Sequence, residues 1–275
     1  VHIRDNLDLT PNSYQIILKG VSIGEAEVHP DKEMAINPGQ VYGPIKGIKG
    51  RDPAFGLEAV WINPGQREEA QTLGYTVVDA STVIATQLNQ IMHDYAHELL
   101  GHDDVQKMLD MLSEVAPKLA EQLIPDSVTL SILLKVLQNL LTEHVPVRDF
   151  RSIAQAIVES AHTTKDPVQL TSAVRIALSR SIVQAITGPS DHLAVITLEP
   201  QLEQILLKSV QQAAQQGGES DQLILEPAMA EKLQQSLSEV AQQQEMQGNP
   251  AVLVTAAPVR PVDIYIQALL LVCLI

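Results

Sequence analysis

Along the first 75 residues the apolar positions fall in short runs and alternations rather than at helical spacing. "SYQIILKGVSIGEAEV" is rich in β-formers, "HPDKEMAINPGQVYGPIKG" is dense in Pro and Gly turn signals, and "PAFGLEAVWI" and "GYTVVDA" add short strand-like runs. The period then changes. Ile84, Leu88, Ile91, Met92, Tyr95 and Leu99 follow a helical repeat, which predicts one helix over 81–100, with Ser81 as N-cap and Gly101 as its stop.

Asp103 or Asp104 is placed to cap a following helix through "VQKMLDMLSEV", and Pro117 and Pro125 divide what comes next. "SVTLSILLKVLQNLLTEH" is apolar nearly all round, so its helix belongs between neighbours. Pro146 ends it, because proline lacks the N–H and disfavours the helical region at Val145. Two helices follow in "RDFRSIAQAIVESAH" and "DPVQLTSAVRIALSRSIVQAI", the second opened by the Asp166-Pro167 pair. "HLAVITLE" reads as a strand, and "PQLEQILLKSVQQAA" as a helix with Leu202, Ile205, Leu206 and Val210 along one face. "QQGGESDQ" is the clearest linker; beyond it lie a helix in "AMAEKLQQSLSEVAQQQEMQ" and a buried strand in "AVLVTAA".

Between the two helical blocks, "VPVRD" is more polar than a turn requires. Asp149 is positioned to accept N–H groups at a helix start, and Arg148 to bridge back to an acidic residue such as Glu143. The motif reads as a structural corner.

Composition narrows the function classes. The chain has 275 residues, 45% of them hydrophobic, which suits folded domains rather than disorder. A net charge of −15 repels phosphate backbones and argues against a nucleic-acid partner. Cys273 is the single cysteine, which excludes an intrachain disulfide and fits a reducing compartment. The apolar run from Ile264 is shorter than the roughly 20 residues a bilayer requires.

Candidate chemistry is sparse. In "HDYAHELLGHDD", His93 and His97 are four apart and so share one helix face, and His102 lies just past the helix end, so the three could hold zinc. The zincin pattern needs a glutamate after its first histidine; Asp94 stands there, with a shorter reach. Ser190, Asp191 and His192 are adjacent, whereas catalytic triads assemble from separated segments. Cys273 has no activating neighbour in sequence, Glu98, Asp103 and Asp104 face no evident second set of carboxylates, and no phosphate-binding glycine loop occurs. The residues point to no enzyme and no cofactor.

"VHIRDNLDLTPNSYQIILKGVSIG", "DPAFGLEAVWI", "TVVDASTVIATQLN" and "KVLQNLLTEHVPVRDFRSI" together resemble the cytoplasmic part of the FlhA family of flagellar and injectisome type III export-gate proteins, in order from Val1 to about Pro261. The resemblance implies an α+β multidomain fold: a mixed α/β first subdomain (1–76 and 125–144), an inserted helical-rich second (77–124), a mainly helical third (145–215) and a small α/β fourth (223–275). It also implies a non-enzymatic protein of the bacterial inner membrane, with this segment on the cytoplasmic side. Such a segment assembles into a nonameric ring, meets other export-apparatus proteins, and docks export chaperones with their substrates. Family docking uses an apolar dimple with an acidic residue, a phenylalanine and a threonine. Carried onto this chain, these positions are Asp94 or His97, Leu100, and Ser131 with Val128 and Thr129 beside it.

The chain departs from the family in three respects. Leu replaces Phe and Ser replaces Thr in the dimple, and the preceding transmembrane region is missing, which predicts a fragment soluble alone. "VDIYIQALLLVCLI" does not match the family's closing helix and strands, which predicts an altered end and a strand in "AVLVTAA" short of sheet partners. Two functions therefore compete: a chaperone-docking platform, or a zinc-dependent hydrolase or metal-regulated domain built on His93, His97 and His102.

Overall fold

The strand-forming runs and the helical runs segregate in space. The structure, a computed structural model, describes residues 1–188, 192–215, 227–256, 259 and 273–274, and falls into two compact units, Val1–Ala96 and His97–Ile275.

In the first unit, β1 (Ser13–Leu18) and β2 (Val21–Glu27) form an antiparallel hairpin. Its two-residue turn, Lys19-Gly20, has φ of +49° and +87°, a left-handed pair whose second position glycine adopts without strain. A four-stranded antiparallel sheet has the order β4 (Ile48–Arg51), β5 (Glu58–Ile62), β3 (Glu33–Ile36), β6 (Thr76–Asp79). Strand alternation sends Ala35, Ile62 and Val77 to one face, where they pack with Ala70 of the short helix α1 (Arg67–Thr72). Met34, Ala59 and Trp61 take the other face, against Val83 and Ile84 of α2 (Ala80–Asp94). β3 lies within the stretch whose Pro and Gly content predicts turns: pairing on both sides and burial of Met34 and Ala35 override the flanking residues. The hairpin leans on α2. A Cβ at Gly24 would stand 2.7 Å from Ile91, and the Tyr14 hydroxyl donates to the buried Gln87 carbonyl oxygen. Burial, then the nearby Asp52 carboxylate, pushes the Tyr14 hydroxyl up to about 12.

The helix expected over 81–100 is corrected at both ends. Its N-cap is Asp79, whose Oδ1 accepts from the Thr82 N–H at 2.6 Å and the Ser81 hydroxyl at 2.7 Å; Ser81 sits inside the first turn. The helix stops at Asp94, and the chain leaves the helical region at Tyr95 (φ −101°, ψ 18°) and makes a separate turn, α3 (Ala96–Leu99). Gly101 then starts rather than stops a helix: it N-caps α4 (His102–Val115), its N–H donating to Asp104 Oδ2 at 3.2 Å, so Asp104 serves from the third position and neither aspartate is the cap residue.

The second unit is mainly helical. After α4 come α5 (Pro117–Glu121), α6 (Leu130–Thr142), α7 (Phe150–Ser160), α8 (Pro167–Ala177) and α9 (Ser179–Thr187). α6 buries Leu133, Leu134, Val136, Leu137 and Leu140, in keeping with its nearly continuous apolar surface. Leu109 and Leu112 of α4, Ile153 and Ile157 of α7, and Leu170 and Val174 of α8 join them in one core. At the corner, Asp149 caps α7 by accepting from the Ser152 N–H, and Asp166 caps α8. Glu143, however, is bridged by Arg175 of α8 at 2.6 Å, not by Arg148, which is exposed. A helical repeat cannot reveal this pair, because its partners meet only when α8 packs on α6.

Further on, β7 (Ile196–Thr197), α10 (Pro200–Gln215), α11 (Pro227–Met246), β8 (Leu253–Val254) and β9 (Cys273–Leu274) form a parallel three-stranded sheet with two helices, in the order β7-β8-β9. β8 thus has a strand on each side, correcting the expected shortage of partners. On α10 Leu206 is fully buried, while Ile205, assigned to the same face, is 45% exposed. Ser190, Asp191, most of the linker and the terminal run apart from 273–274 lie outside the described residues. Among the described residues no single helix is long and apolar enough to cross a membrane.

Two tests follow from these ties. Arg175→Ala removes the close cation from the largely buried Glu143 carboxylate and is expected to cost about 3 kcal/mol, read as a lower urea midpoint with an unchanged slope. Backbone and hydroxyl hydrogen bonds hold the Asp79 carboxyl down to about 2. Its depressed value means that its stabilisation is present above the unfolded value, near 3.9, and is lost as pH falls through 2. A carboxyl NMR titration of Asp79 with a midpoint near 4 would contradict this.

Candidate docking surface

A short connection, Leu100-Gly101, and the approach to α6 supply the residues in question. The backbone breaks from helix at Ile124 (φ −132°, ψ 128°), the extended conformation favoured before a proline, and after Ser127 it is extended again at Val128 (φ −140°, ψ 163°), leading into the cap of α6. Thr129 is that cap, its hydroxyl accepting from the Ile132 N–H at 3.3 Å. Thr129 and Ser131 are exposed at the start of the helix.

Val128 is only 1% exposed and belongs to the core of the second unit, so it supports the surface from beneath. Leu100, Met108, Ile124 and Leu130 are half-buried against the same core, leaving apolar flanks within reach of solvent. Leu100 is held by its own backbone: its carbonyl accepts from Gln138 Nε2 of α6 at 3.3 Å. Sequence reasoning missed Ile124, Met108 and Gln138. Ile124 had a signal in its position before Pro125, whereas Gln138 had none, because its side chain reaches across 38 residues of chain.

The acidic position divides. Asp94 lies exposed at the end of α2 in the first unit, its Oδ1 accepting from Gln90 Nε2 at 2.9 Å. His97 is half-buried in α3, and its Nδ1 is enclosed without a hydrogen-bond partner among the described residues. The zinc geometry assumed one helix through His93 and His97. The break at Tyr95 puts them on α2 and α3, so the helix is not continuous between them. His102 is exposed at the start of α4, and among the described residues His97 and His102 join no cluster of three side chains able to ligate a metal.

Comparison with known proteins bears on this arrangement. The FHIPEP family model matches residues 1–269. The chain is 48% identical over 253 residues to the flagellar biosynthesis protein FlhA of Proteus mirabilis, covering 92% of this chain and 35% of that protein. It is 46% identical over 261 residues to FlhA of Salmonella typhimurium strain LT2, covering 95% and 36%. The chain thus spans about a third of the length of the curated relatives it matches. Among solved structures it resembles the Chlamydia pneumoniae CdsV and CdsO protein complex, with a TM-score of 0.79 at 22% identity, covering 98% of this chain and 80% of the other. The nonameric EPEC SctV-C structure gives 0.72 at 22% identity, covering 96% and 78%. These structural likenesses support the mixed helix-and-sheet fold class expected from the sequence.

Thr129 can be tested as a cap separately from any docking role. Thr129→Ala is expected to lower stability by about 1 kcal/mol in urea unfolding, while Thr129→Ser, which keeps the accepting hydroxyl, should stay close to wild type.

Proposed function

This chain belongs to the FHIPEP family, and on that footing we propose that it is the cytoplasmic docking platform of a flagellar type III export gate. It binds export chaperones carrying their substrates and supports their ordered export. The platform is not an enzyme and uses no cofactor; the inner membrane is reached through a region outside this segment. One observation carries the docking assignment: Leu100, Ile124 and Leu130 stand half-exposed on a packed core, with exposed Thr129 and Ser131 at the adjoining helix start. A fixed apolar floor with hydroxyls beside it suits the apolar face of a chaperone helix.

The roles then divide by position. Leu100 and Leu130 contact the incoming helix; Ser131 offers a hydroxyl beside them, and Thr129 holds the end of α6. Val128 keeps the floor rigid from inside the core. His97 supplies polar selection at the edge. Leucine in place of the family's phenylalanine keeps the floor apolar with less area, so chaperone preference shifts while docking persists. Self-association into a ring follows the nonameric state of SctV-C. The CdsV–CdsO complex favours a second export-apparatus partner for this fold.

Calorimetric titration with a flagellar export chaperone, free and substrate-loaded, tests the reading. Tighter binding of the loaded complex is expected. Leu100→Asp should weaken that binding by at least about tenfold with the helical circular dichroism unchanged, since Leu100 is only half-buried. Wild-type affinity in a folded Leu100→Asp variant would overturn the docking-surface assignment.

A further inference from the structure

Helix α4 is amphipathic in an unusual sense: its inner face is core, yet its outer face is not wholly polar. Val105, Leu109 and Leu112 are buried, whereas Met111 and Val115 stand 60% and 73% exposed, one turn apart. Met108, half-buried, continues this strip towards the core edge. Carboxylates border it: Asp103, Asp104, Asp110 and Glu114 are all exposed on the same helix. Lys107, 3.5 Å from Asp104, is the helix's one cation.

We propose that this outer face of α4 is a docking strip for a cationic amphipathic helix of a partner protein. Methionine is flexible and polarisable, so it accommodates varied apolar side chains, and the acidic border selects lysine and arginine flanking them. From Met108 to Val115 the apolar strip runs about 11 Å, two turns of a bound helix, within a helix about 21 Å long whose remaining exposed length carries the carboxylates. A second copy of this chain is a poor occupant, because each helix among the described residues carries at most one lysine or arginine. The strip shares Met108 with the surface described above but does not include Leu100, and its exposed residues, Met111 and Val115, lie outside that surface.

The probe is a fluorescent peptide of about 18 residues, leucine and lysine placed at helical spacing, with a control of the same composition in scrambled order. Anisotropy should show saturable binding of the amphipathic peptide only. Met111→Ser with Val115→Ser, both at exposed positions, should weaken it by at least about tenfold. Asp110→Asn with Glu114→Gln should flatten its salt dependence. Equal binding of the scrambled peptide, wild-type affinity in the serine variant, or an unchanged salt dependence in the neutralised variant would each overturn the proposal.

Discussion

Helix α6 sits where the second unit's constraints meet. Its leucines and valine fill the core, which fixes its rotation about its own axis. Once that rotation is set, its polar side chains can point in only one way. Gln138 reaches the Leu100 carbonyl, Asn139 donates to the Thr171 hydroxyl, and Glu143 meets Arg175. Hydrophobic packing supplies most of the free energy, while these directional ties choose one register of α8 and one position of the Leu100 connection. The candidate docking surface is therefore a consequence of how α6 is buried.

The same logic explains why that surface is partly apolar. A helix start needs a cap, a proline forces extended backbone before it, and both occur between Ile124 and Thr129. The chain there turns Ser127 and Val128 inward and leaves Ile124 and Leu130 half-exposed. Acidic residues gather on α4 nearby in sequence, where four carboxylates border exposed methionine and valine. Surface charge of this kind keeps an apolar strip soluble and also gives it a preference among partners.

Where the sequence misled, the competing physics can be named. The helical repeat through Tyr95 and Leu99 is genuine in the residues, yet the helix stops at Asp94, because periodicity records which positions are apolar and not whether the backbone is continuous. Ser81 and Asp79 are both good caps; the one whose carboxylate reaches the Thr82 N–H holds the position. Arg148 was the nearest cation in sequence to Glu143, but Arg175 takes the contact, and its burial with the glutamate requires α8 to be in place.

The residues by themselves determined the sequence of strands and helices in broad outline, the caps at Asp149 and Asp166, the burial of α6, and the family resemblance. Each of these depends on local chemistry or on long stretches of side-chain pattern. Tertiary structure alone decided the pairing of β3, the break at Tyr95, the Glu143–Arg175 tie, and the split between buried Val128 and half-exposed Leu100. The strand pairing and the ion pair depend on partners far along the chain. An apolar residue in sequence is equally suited to a core or to a docking face, and only the packing of its neighbours settles how much of it water still reaches.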